Sequence, residues 1–412
     1  MDPVASRLFV CYVPGLDRRR ISAERTPFVE RLLATGPTID LESHLGTDHL
    51  PTILTGAYPH EHRLWHVSLR PEARIPRRLR LTDRLPGIVS TTLQGARHLV
   101  DRSYQMPTVP SRRRRQFDIH RTGIARSGRG ARGFESIGGF PTVFGMIPDS
   151  RYIFTRRLEP LVRLADELPS AQCALEFLEI HALDLIQHWH MDAPKRLERA
   201  YRATDAFLGG LSVRCEQRGV ALMLLVDHGQ EPVLGAIPLM KDLRSVRIAE
   251  TDFSCFFELA LARFWFHTEE ARARLMNNLR EVPHTRMLSL RDLRGLHICF
   301  EDDAYGELYL VADPGWIFFP NDHHHPLNNL LLGLIDRDQR PRLVNPRHRG
   351  AHGYLPEHPS ERGFAIVADP RLRALRRSAE LIDLAPTMVT LLGEAPPSYM
   401  RGRPAFGWRD VP

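Results

Sequence analysis

The stretch Val220-Ala-Leu-Met-Leu-Leu-Val226, followed at once by Asp227-His228-Gly229, decides the fold class of this chain. An uninterrupted apolar run of this length is typical of a strand that is buried on both faces, as in a parallel sheet covered by helices. Residues 193–217 have helical periodicity and end before Gly219, so a helix leads into this strand. The polar Asp-His-Gly turn then leaves the strand at its carboxyl end.

The same alternation of strand and helix occurs elsewhere in the chain. Apolar runs predict further strands at residues 8–13, 173–180 and 364–368. The predicted helices span residues 26–34, 158–168, 193–217, 268–281 and 379–392. Strands that alternate with helices are typical of a mostly parallel sheet with helices on both of its faces. We therefore predict an α/β fold.

Two segments interrupt this alternation. Residues 105–150 are rich in arginine and glycine and poor in aliphatic residues, which predicts a flexible excursion within the core. Residues 247–330 mix a helix with short strands and predict a small α+β cap insertion. The core is then formed by residues 1–246 and 331–412.

The composition limits the class of protein. The chain has 412 residues and a net charge of +7. Its five cysteines are scattered and include no Cys-x-x-Cys pair, which favours a reducing, cytoplasmic location. A positive charge favours anionic partners such as phosphate esters. There is no membrane-length apolar run and no motif of a specific nucleic-acid binder, so we expect neither a membrane nor a specific nucleic-acid partner. The oligomeric state stays open.

Aspartate and histidine occur together near three predicted strands. Asp184 and His188 follow residues 173–180 and are four residues apart, so on a helix they share one face and can chelate one ion. Asp227 and His228 leave the strand 220–226, and His352 lies between glycines before the strand 364–368. Ligands bind at the carboxyl ends of strands in open α/β sheets, so these residues are candidates for one site. Each pair alone is also compatible with a plain polar turn or surface contact.

Taken together, the residues resemble the alkaline phosphatase superfamily, most closely its type I phosphodiesterase and nucleotide pyrophosphatase branch. The order Asp184-x3-His188, Asp227-His228-Gly229 and His352-Gly353-Tyr354 is the ligand order of that superfamily. Thr55-Gly-Ala-Tyr-Pro-His-Glu-His62 is similar to the segment that follows its nucleophile, and Asp383-Leu-Ala-Pro-Thr387 is similar to its C-terminal run. The resemblance implies an alkaline-phosphatase-like fold.

The resemblance also implies two divalent metal ions, usually zinc, with manganese or iron as alternatives. One ion would be held by Asp184, His188 and His352. The other would be held by Asp227 and His228, by an aspartate at the end of the first strand and by a nucleophilic threonine or serine. Such an enzyme is a metal-dependent phosphohydrolase that cleaves a phosphodiester, a diphosphate or a phosphomonoester of a small, nucleotide-like molecule.

The sequence departs from that pattern at two positions, both at the second ion. Pro14 replaces the strand-end aspartate, and Gly46 occupies the position of the nucleophile. In one explanation, Thr47 is the nucleophile and Asp48 supplies the missing carboxylate. In a second explanation, the enzyme uses one metal ion and activates water directly. In a third, the site has decayed and the chain is a binding protein. A phosphotransferase or mutase on the same scaffold is a further alternative.

Three other features bear on the substrate. His49 and His323 are predicted to contact the substrate phosphate, His323 from the cap. The arginine-rich segment 112–132 is either a clamp for a diphosphate or a solvated loop. The cap insertion is expected to exclude water and to select the leaving group.

Overall fold

The computed structural model describes residues 7–65, 69–71, 89, 117–119, 135–157, 167–246, 248–249, 251–324 and 326–409. Nearly all of the arginine-rich segment 112–132 and of the predicted helix 158–168 lies outside these residues.

The strands and helices are named in chain order. The strands of the core are Arg7–Tyr12 (β1), Thr38–Glu42 (β2), Leu69–Pro71 (β3), Phe117–Ile119 (β4), Ser136–Ile137 (β5), Phe140–Pro141 (β6), Ser150–Thr155 (β7), Leu175–Ile180 (β8), Val220–Val226 (β9) and Glu231–Pro232 (β10). The later strands are Gly235–Ile237 (β11), Phe253–Phe257 (β12), Leu261–Phe266 (β13), Thr285–Met287 (β14), Leu308–Ala312 (β15), Trp316–Phe318 (β16), Gly350–Ala351 (β17), Arg362–Val367 (β18), Leu372–Ala374 (β19), Ser378–Glu380 (β20) and Phe406–Trp408 (β21). The helices are Pro27–Thr35 (α1), Leu50–Thr55 (α2), Pro59–His62 (α3), Val143–Met146 (α4), Ala182–His190 (α5), Pro194–Gln217 (α6), Leu239–Ser245 (α7), Glu269–Arg280 (α8), Leu290–Gly295 (α9), Pro326–Ile335 (α10) and Leu384–Leu391 (α11).

The central sheet has seven strands in the order β20-β2-β18-β9-β1-β8-β7. Its neighbours pair in parallel except around β18, which is antiparallel to both β2 and β9. This arrangement confirms the prediction of a mostly parallel α/β sheet, and β9 has the bounds predicted from the apolar run.

Both faces of the sheet are buried, which explains why its central strands are apolar throughout. In β1, Leu8 and Val10 face one core cluster, and Phe9 and Cys11 face the other. The first cluster is covered by α2 and α11, and the second by α1, α5 and α6. Neighbouring residues of a strand point to opposite faces, so a strand between two helix layers needs no polar face.

The carboxyl ends of β1, β8, β9 and β2 meet at one edge of the sheet. Because β18 is antiparallel, its beginning reaches the same edge, where Phe364 pairs with Val226. The backbones come very close there: a Cβ on Gly363 would lie 2.1 Å from the Val226 carbonyl oxygen, so no side chain fits. This edge carries the candidate site.

A second sheet lies within the segment predicted as the cap. It is antiparallel in the order β12-β13-β15-β14, and α8 packs on it through Leu275 and Leu279. Leu45 and Trp65 of the core join a cap cluster that includes Tyr305 and Tyr309. The cap therefore packs against the loop that follows β2.

One predicted helix differs from the structure. The predicted helix 379–392 begins as β20, continues as a 3₁₀ turn at Leu381–Asp383, and becomes helical only as α11. Ala379 pairs with Leu41 of β2, so sheet pairing overrides helical periodicity there. In the predicted flexible excursion, residues 135–150 include the β5–β6 hairpin and α4, which buries Val143 and Phe144.

Among the described residues, no helix combines the length and the apolar character needed to span a bilayer.

Candidate metal centre

The first group of possible metal ligands consists of Asp184, His188 and His352, which the sequence predicted to act together. Asp184 and His188 lie one turn apart on α5, and the loop before β18 brings His352 to them. Asp184 Oδ1 lies 3.5 Å from His188 Nε2 and 3.4 Å from His352 Nε2. Three ligand atoms that converge in this way leave a position open for water or substrate on a bound ion.

Backbone and side-chain contacts orient this first group. His188 Nδ1 donates to the Gly350 carbonyl at 2.9 Å, which leaves the Nε2 lone pair directed at Asp184. Gln230 donates its amide to Asp184 Oδ1 at 2.6 Å and to the Asp184 carbonyl at 3.0 Å. Such outer contacts fix the tautomer and the direction of a metal ligand. Gln230, directly after Asp227-His228-Gly229, was not identified from the sequence, although its position in that turn was a usable signal.

The second group consists of His49, Asp227 and His228, all of them buried. Asp227 Oδ2 lies 2.9 Å from His49 Nδ1 and 3.3 Å from His228 Nε2. The outer ring nitrogens donate to backbone carbonyls, His49 Nε2 to His44 at 3.0 Å and His228 Nδ1 to Gly229 at 2.8 Å. Both inner nitrogens therefore face Asp227, as ligands of one ion require.

Tyr12, the last residue of β1, adds a contact that sequence reasoning missed. Its hydroxyl donates to Asp227 Oδ2 at 2.5 Å. The residue two positions later is Pro14, where the family pattern has an acid. The end of β1 therefore contributes a hydrogen bond to this group instead of a carboxylate.

Charge and burial set the protonation of both groups. Burial alone would raise the pKa of Asp227, but His228, His49 and the Tyr12 hydroxyl hold its pKa well below the usual range. Burial opposes protonation of His228, yet Asp227 and the other nearby acids raise the pKa of that imidazole. Burial and the neighbouring imidazoles lower the pKa of His352 well below its usual value. His352 is therefore neutral, which a metal ligand must be.

The two groups adjoin each other. The rings of His228 and His352 stack with centroids 3.9 Å apart and planes 13° apart. The Glu361 carboxylate accepts the Gly353 N–H at 2.9 Å and so fixes the loop that carries His352. Two ligand groups side by side at the ends of parallel strands form one continuous centre.

The residues fit the divalent ions that the superfamily implies. The donors are imidazole nitrogens and carboxylate oxygens, the set that zinc and manganese accept. In each group one carboxylate and two imidazole rings bring their ligand atoms within 4.8 Å of one another, so the donor chemistry matches these ions. Asp184, His188 and His352 would hold one ion, and His49, Asp227 and His228 the other.

We predict that Gln230→Ala lowers the affinity of the first group for zinc by about 10- to 100-fold, because Asp184 loses its amide donor. Competition with a chromophoric chelator measures this affinity. Gln172→Ala, at an exposed loop position, is the matched control and should leave the affinity unchanged. Equal affinities in the two variants would show that Gln230 does not orient Asp184.

Thr47, Asp48 and His49, predicted for the second ion and for the substrate, differ in how they lie relative to the two ligand groups. Thr47 is exposed and lies beside the centre: a Cβ on Gly353 would be 3.1 Å from its methyl carbon. Asp48 is not one of the three residues of the second group. Burial, together with nearby acids that include Asp48, raises the pKa of Tyr305 in the cap to about 12, so Asp48 lies near the cap. His49, predicted as a substrate contact, lies instead among the possible metal ligands.

The remaining predicted contact, His323, lies in the cap. Its Nε2 is 4.0 Å from Glu258 Oε1, and its ring meets Phe256 edge to face. Its role toward a substrate stays a prediction. Asp17, in the loop after β1, is buried and paired with Arg19 at 2.7 Å.

This centre can be compared with known proteins. The model of the type I phosphodiesterase / nucleotide pyrophosphatase family matches residues 148–355, about half of the chain, and this segment contains five of the six grouped residues. The chain belongs to this family. Membership places it among phosphodiester hydrolases of the alkaline phosphatase superfamily. No curated protein sequence is significantly similar to this family member.

Solved structures with the same fold include ectonucleotide pyrophosphatase / phosphodiesterase 5 from mouse and human. An inactive variant of the murine protein in complex with AMP has 13% sequence identity and a TM-score of 0.61, and covers 95% of this chain and 96% of its own. Two further structures, of the murine and of the human protein, have 14% identity, TM-scores of 0.61 and 0.59, and the same coverage. At this identity the likeness concerns the fold.

Proposed function

We propose that this family member is a metal-dependent hydrolase that cleaves a phosphodiester, a diphosphate or a phosphomonoester of a small, nucleotide-like molecule. The observation that carries the proposal is the pair of adjoining three-residue ligand groups at the carboxyl ends of the strands. A chain that served only as a structural scaffold would gain nothing from six converging ligands, most of them buried.

The residues of the two groups have distinct tasks in this proposal. Asp184 and Asp227 supply the negative charge, and the four histidines supply imidazole nitrogens. Divalent ions held by these residues, most simply zinc, would polarise phosphoryl oxygens and stabilise the leaving oxygen. Gln230, Tyr12 and Glu361 act as positioning residues, because each of them holds a ligand or its loop through a hydrogen bond.

Thr47 is the attacking group in this proposal. Its hydroxyl oxygen forms a bond to phosphorus while the bond from phosphorus to the leaving oxygen breaks. The leaving oxygen takes up the proton that Thr47 loses and departs as an alcohol or, from a diphosphate, as a phosphate. Water then hydrolyses the phospho-threonine, which releases free phosphate or a phosphate monoester and restores the Thr47 hydroxyl. The position of Thr47 beside Gly353 and the exposure of its side chain support this role. In the alternative, water attacks phosphorus directly and no covalent intermediate forms.

The choice of a nucleotide-like substrate rests on three observations. The family acts on nucleotides by its description, and a structural neighbour was solved with AMP. The net charge of +7 attracts anionic substrates. Tyr305 of the cap packs in one cluster with Leu45 of the loop after β2 and with Trp65 after α3, so the cap is placed to cover the centre and to limit access of water.

The test measures hydrolysis of bis(4-nitrophenyl) phosphate and of the 4-nitrophenyl ester of thymidine monophosphate, with zinc or manganese added and then chelated. We expect activity that requires the metal. Thr47→Ala should lower kcat by about a hundredfold or more, whereas Thr47→Ser keeps most of it. Thr35→Ala, at an exposed position ending α1, is the control.

The outcomes separate the alternatives. No hydrolysis with any added metal would overturn the proposed function and favour a binding protein. Metal-dependent hydrolysis that Thr47→Ala leaves unchanged would keep the hydrolase but replace Thr47 by water. Trapping of a phosphorylated Thr47 by rapid quench would establish the covalent route.

A further inference from the structure

One surface of the core exposes apolar side chains close together. Leu330 and Leu334 of α10 are 49% and 63% exposed, and Leu343 and Val344 after it are 43% and 92% exposed. The 3₁₀ stretch Arg337–Leu343 folds back on the helix, since a Cβ on Gly333 would lie 2.6 Å from Leu343 Cγ. Single exposed leucines are ordinary, but a group of them at one place marks an interaction surface.

A basic groove adjoins this apolar surface at Val344. The groove has a volume of about 880 Å³ and lies between α5, α6 and the stretch 337–344. Its arginines are Arg156, Arg157, Arg196, Arg199, Arg337 and Arg340. The acid among its lining residues is Asp338, which is paired with Arg196. Guanidinium groups thus far outnumber carboxylates in this groove.

The floor of the groove is apolar. Ile186 and Ala182 of α5 and Ala200 of α6 contribute to it, alongside Val344 at its rim. A site for a purely ionic ligand has little use for such a floor. A ligand that joins an anionic head to an apolar body would use both the arginines and the aliphatic side chains.

We propose that the α10 to Val344 surface, together with the adjoining arginine groove, binds the surface of a membrane that contains anionic lipids. The helix would lie in the plane of the interface, with Leu334 and Val344 entering the acyl boundary and the arginines meeting lipid phosphates. This proposal replaces the expectation, based on the lack of a membrane-length apolar run, that the chain has no membrane partner. A helix that lies on a membrane needs no such run.

Two other occupants fit the surface less well. A nucleic acid would match the arginines but would leave Leu334 and Val344 in water. A second copy of the chain in a two-fold contact would cover the leucines but would bring the arginines of one groove near those of the other. A bilayer with anionic headgroups satisfies both kinds of side chain.

The test is sedimentation of the full chain with vesicles of phosphatidylcholine alone or mixed with phosphatidylserine. We expect binding to the mixed vesicles that weakens as salt rises, and little binding to phosphatidylcholine. Val344→Asp should weaken binding about tenfold or more, and Arg340→Ser about fivefold. Leu234→Asp, at a 76% exposed position outside this surface, is the matched control.

Equal binding to the two vesicle types, or equal binding by Val344→Asp and Leu234→Asp, would overturn the proposal. So would a dimer in analytical ultracentrifugation that Val344→Asp disrupts while vesicle binding is absent. Tighter binding of an oligonucleotide that Val344→Asp does not affect would assign the groove to nucleic acid instead. Hydrolysis of bis(4-nitrophenyl) phosphate in solution should be unchanged in Val344→Asp, since Val344 lies outside the metal centre. Failure of the membrane proposal is therefore distinguishable from failure of the proposed function.

Discussion

Replacing Asp184 with asparagine is expected to lower kcat/KM for a phosphodiester by about a thousandfold, or about 4 kcal/mol of transition-state stabilisation. Asp184 is the one carboxylate of the first ligand group, and its Oδ1 faces the Nε2 atoms of both His188 and His352. Asparagine preserves the size of the side chain and can still accept the Gln230 amide. The charge that attracts a divalent ion is the property that is lost.

Elemental analysis of the same variant should show one fewer ion per chain than in the parent protein. The matched control is Asp192→Asn, because Asp192 lies just beyond the end of α5 and is exposed, with Arg349 as its partner at 3.0 Å. We expect the control to retain activity within about twofold, since exposed ion pairs contribute little. Full metal content in Asp184→Asn would remove Asp184 from the ligands.

The sequence predicted the strands and helices that leave a local signal, such as an apolar run or a helical periodicity. The apolar run of β9 defines a strand because seven consecutive apolar residues can be buried only between two layers. The periodicity of residues 193–217 defines α6 for a similar reason. The prediction was wrong for the beginning of the helix 379–392, because these first residues pair with β2, a strand far away in the chain. Such pairing leaves no local signal.

The residues of the candidate site also divide into those with a local sequence signal and those placed by distant contacts. Asp184 and His188 could be paired from the sequence, because their spacing on a helix brings them to one face. The part played by His49 could not, because residues 43–49 form an irregular loop whose path depends on distant contacts. Ser43 donates to the Asp227 carbonyl, and His49 Nε2 meets the His44 carbonyl. These contacts turn His49, rather than Asp48, toward Asp227.

The loss of an acid at Pro14 therefore has a physical consequence for the second group. With His49, Asp227 and His228, this group has one carboxylate and two imidazole nitrogens, the same donor types as the first group. A divalent ion on it would retain a net positive charge, which attracts a phosphate oxygen. The hydrogen bond from Tyr12 further reduces the negative charge that Asp227 presents to a bound group.

The second large effect concerns the neighbours His49 and Asp48. We expect His49→Gln to remove one of two bound ions and to lower kcat/KM by about a hundredfold or more, because the imidazole that faces Asp227 is lost. Asp48→Asn should retain both ions, since its carboxylate is not among the three converging ligands. Elemental analysis and hydrolysis of bis(4-nitrophenyl) phosphate measure both quantities on the same samples.

A thermal unfolding scan of each variant separates loss of an ion from loss of the fold, because His49 is buried and Asp48 is not. The opposite pattern, in which Asp48→Asn loses an ion and His49→Gln keeps both, would restore the hypothesis that Asp48 replaces the acid lost at Pro14. His49 would then be a substrate contact, as first predicted from the sequence. One ion in the parent protein and in both variants would instead favour a single-metal enzyme, in which the second group positions the phosphate without a metal.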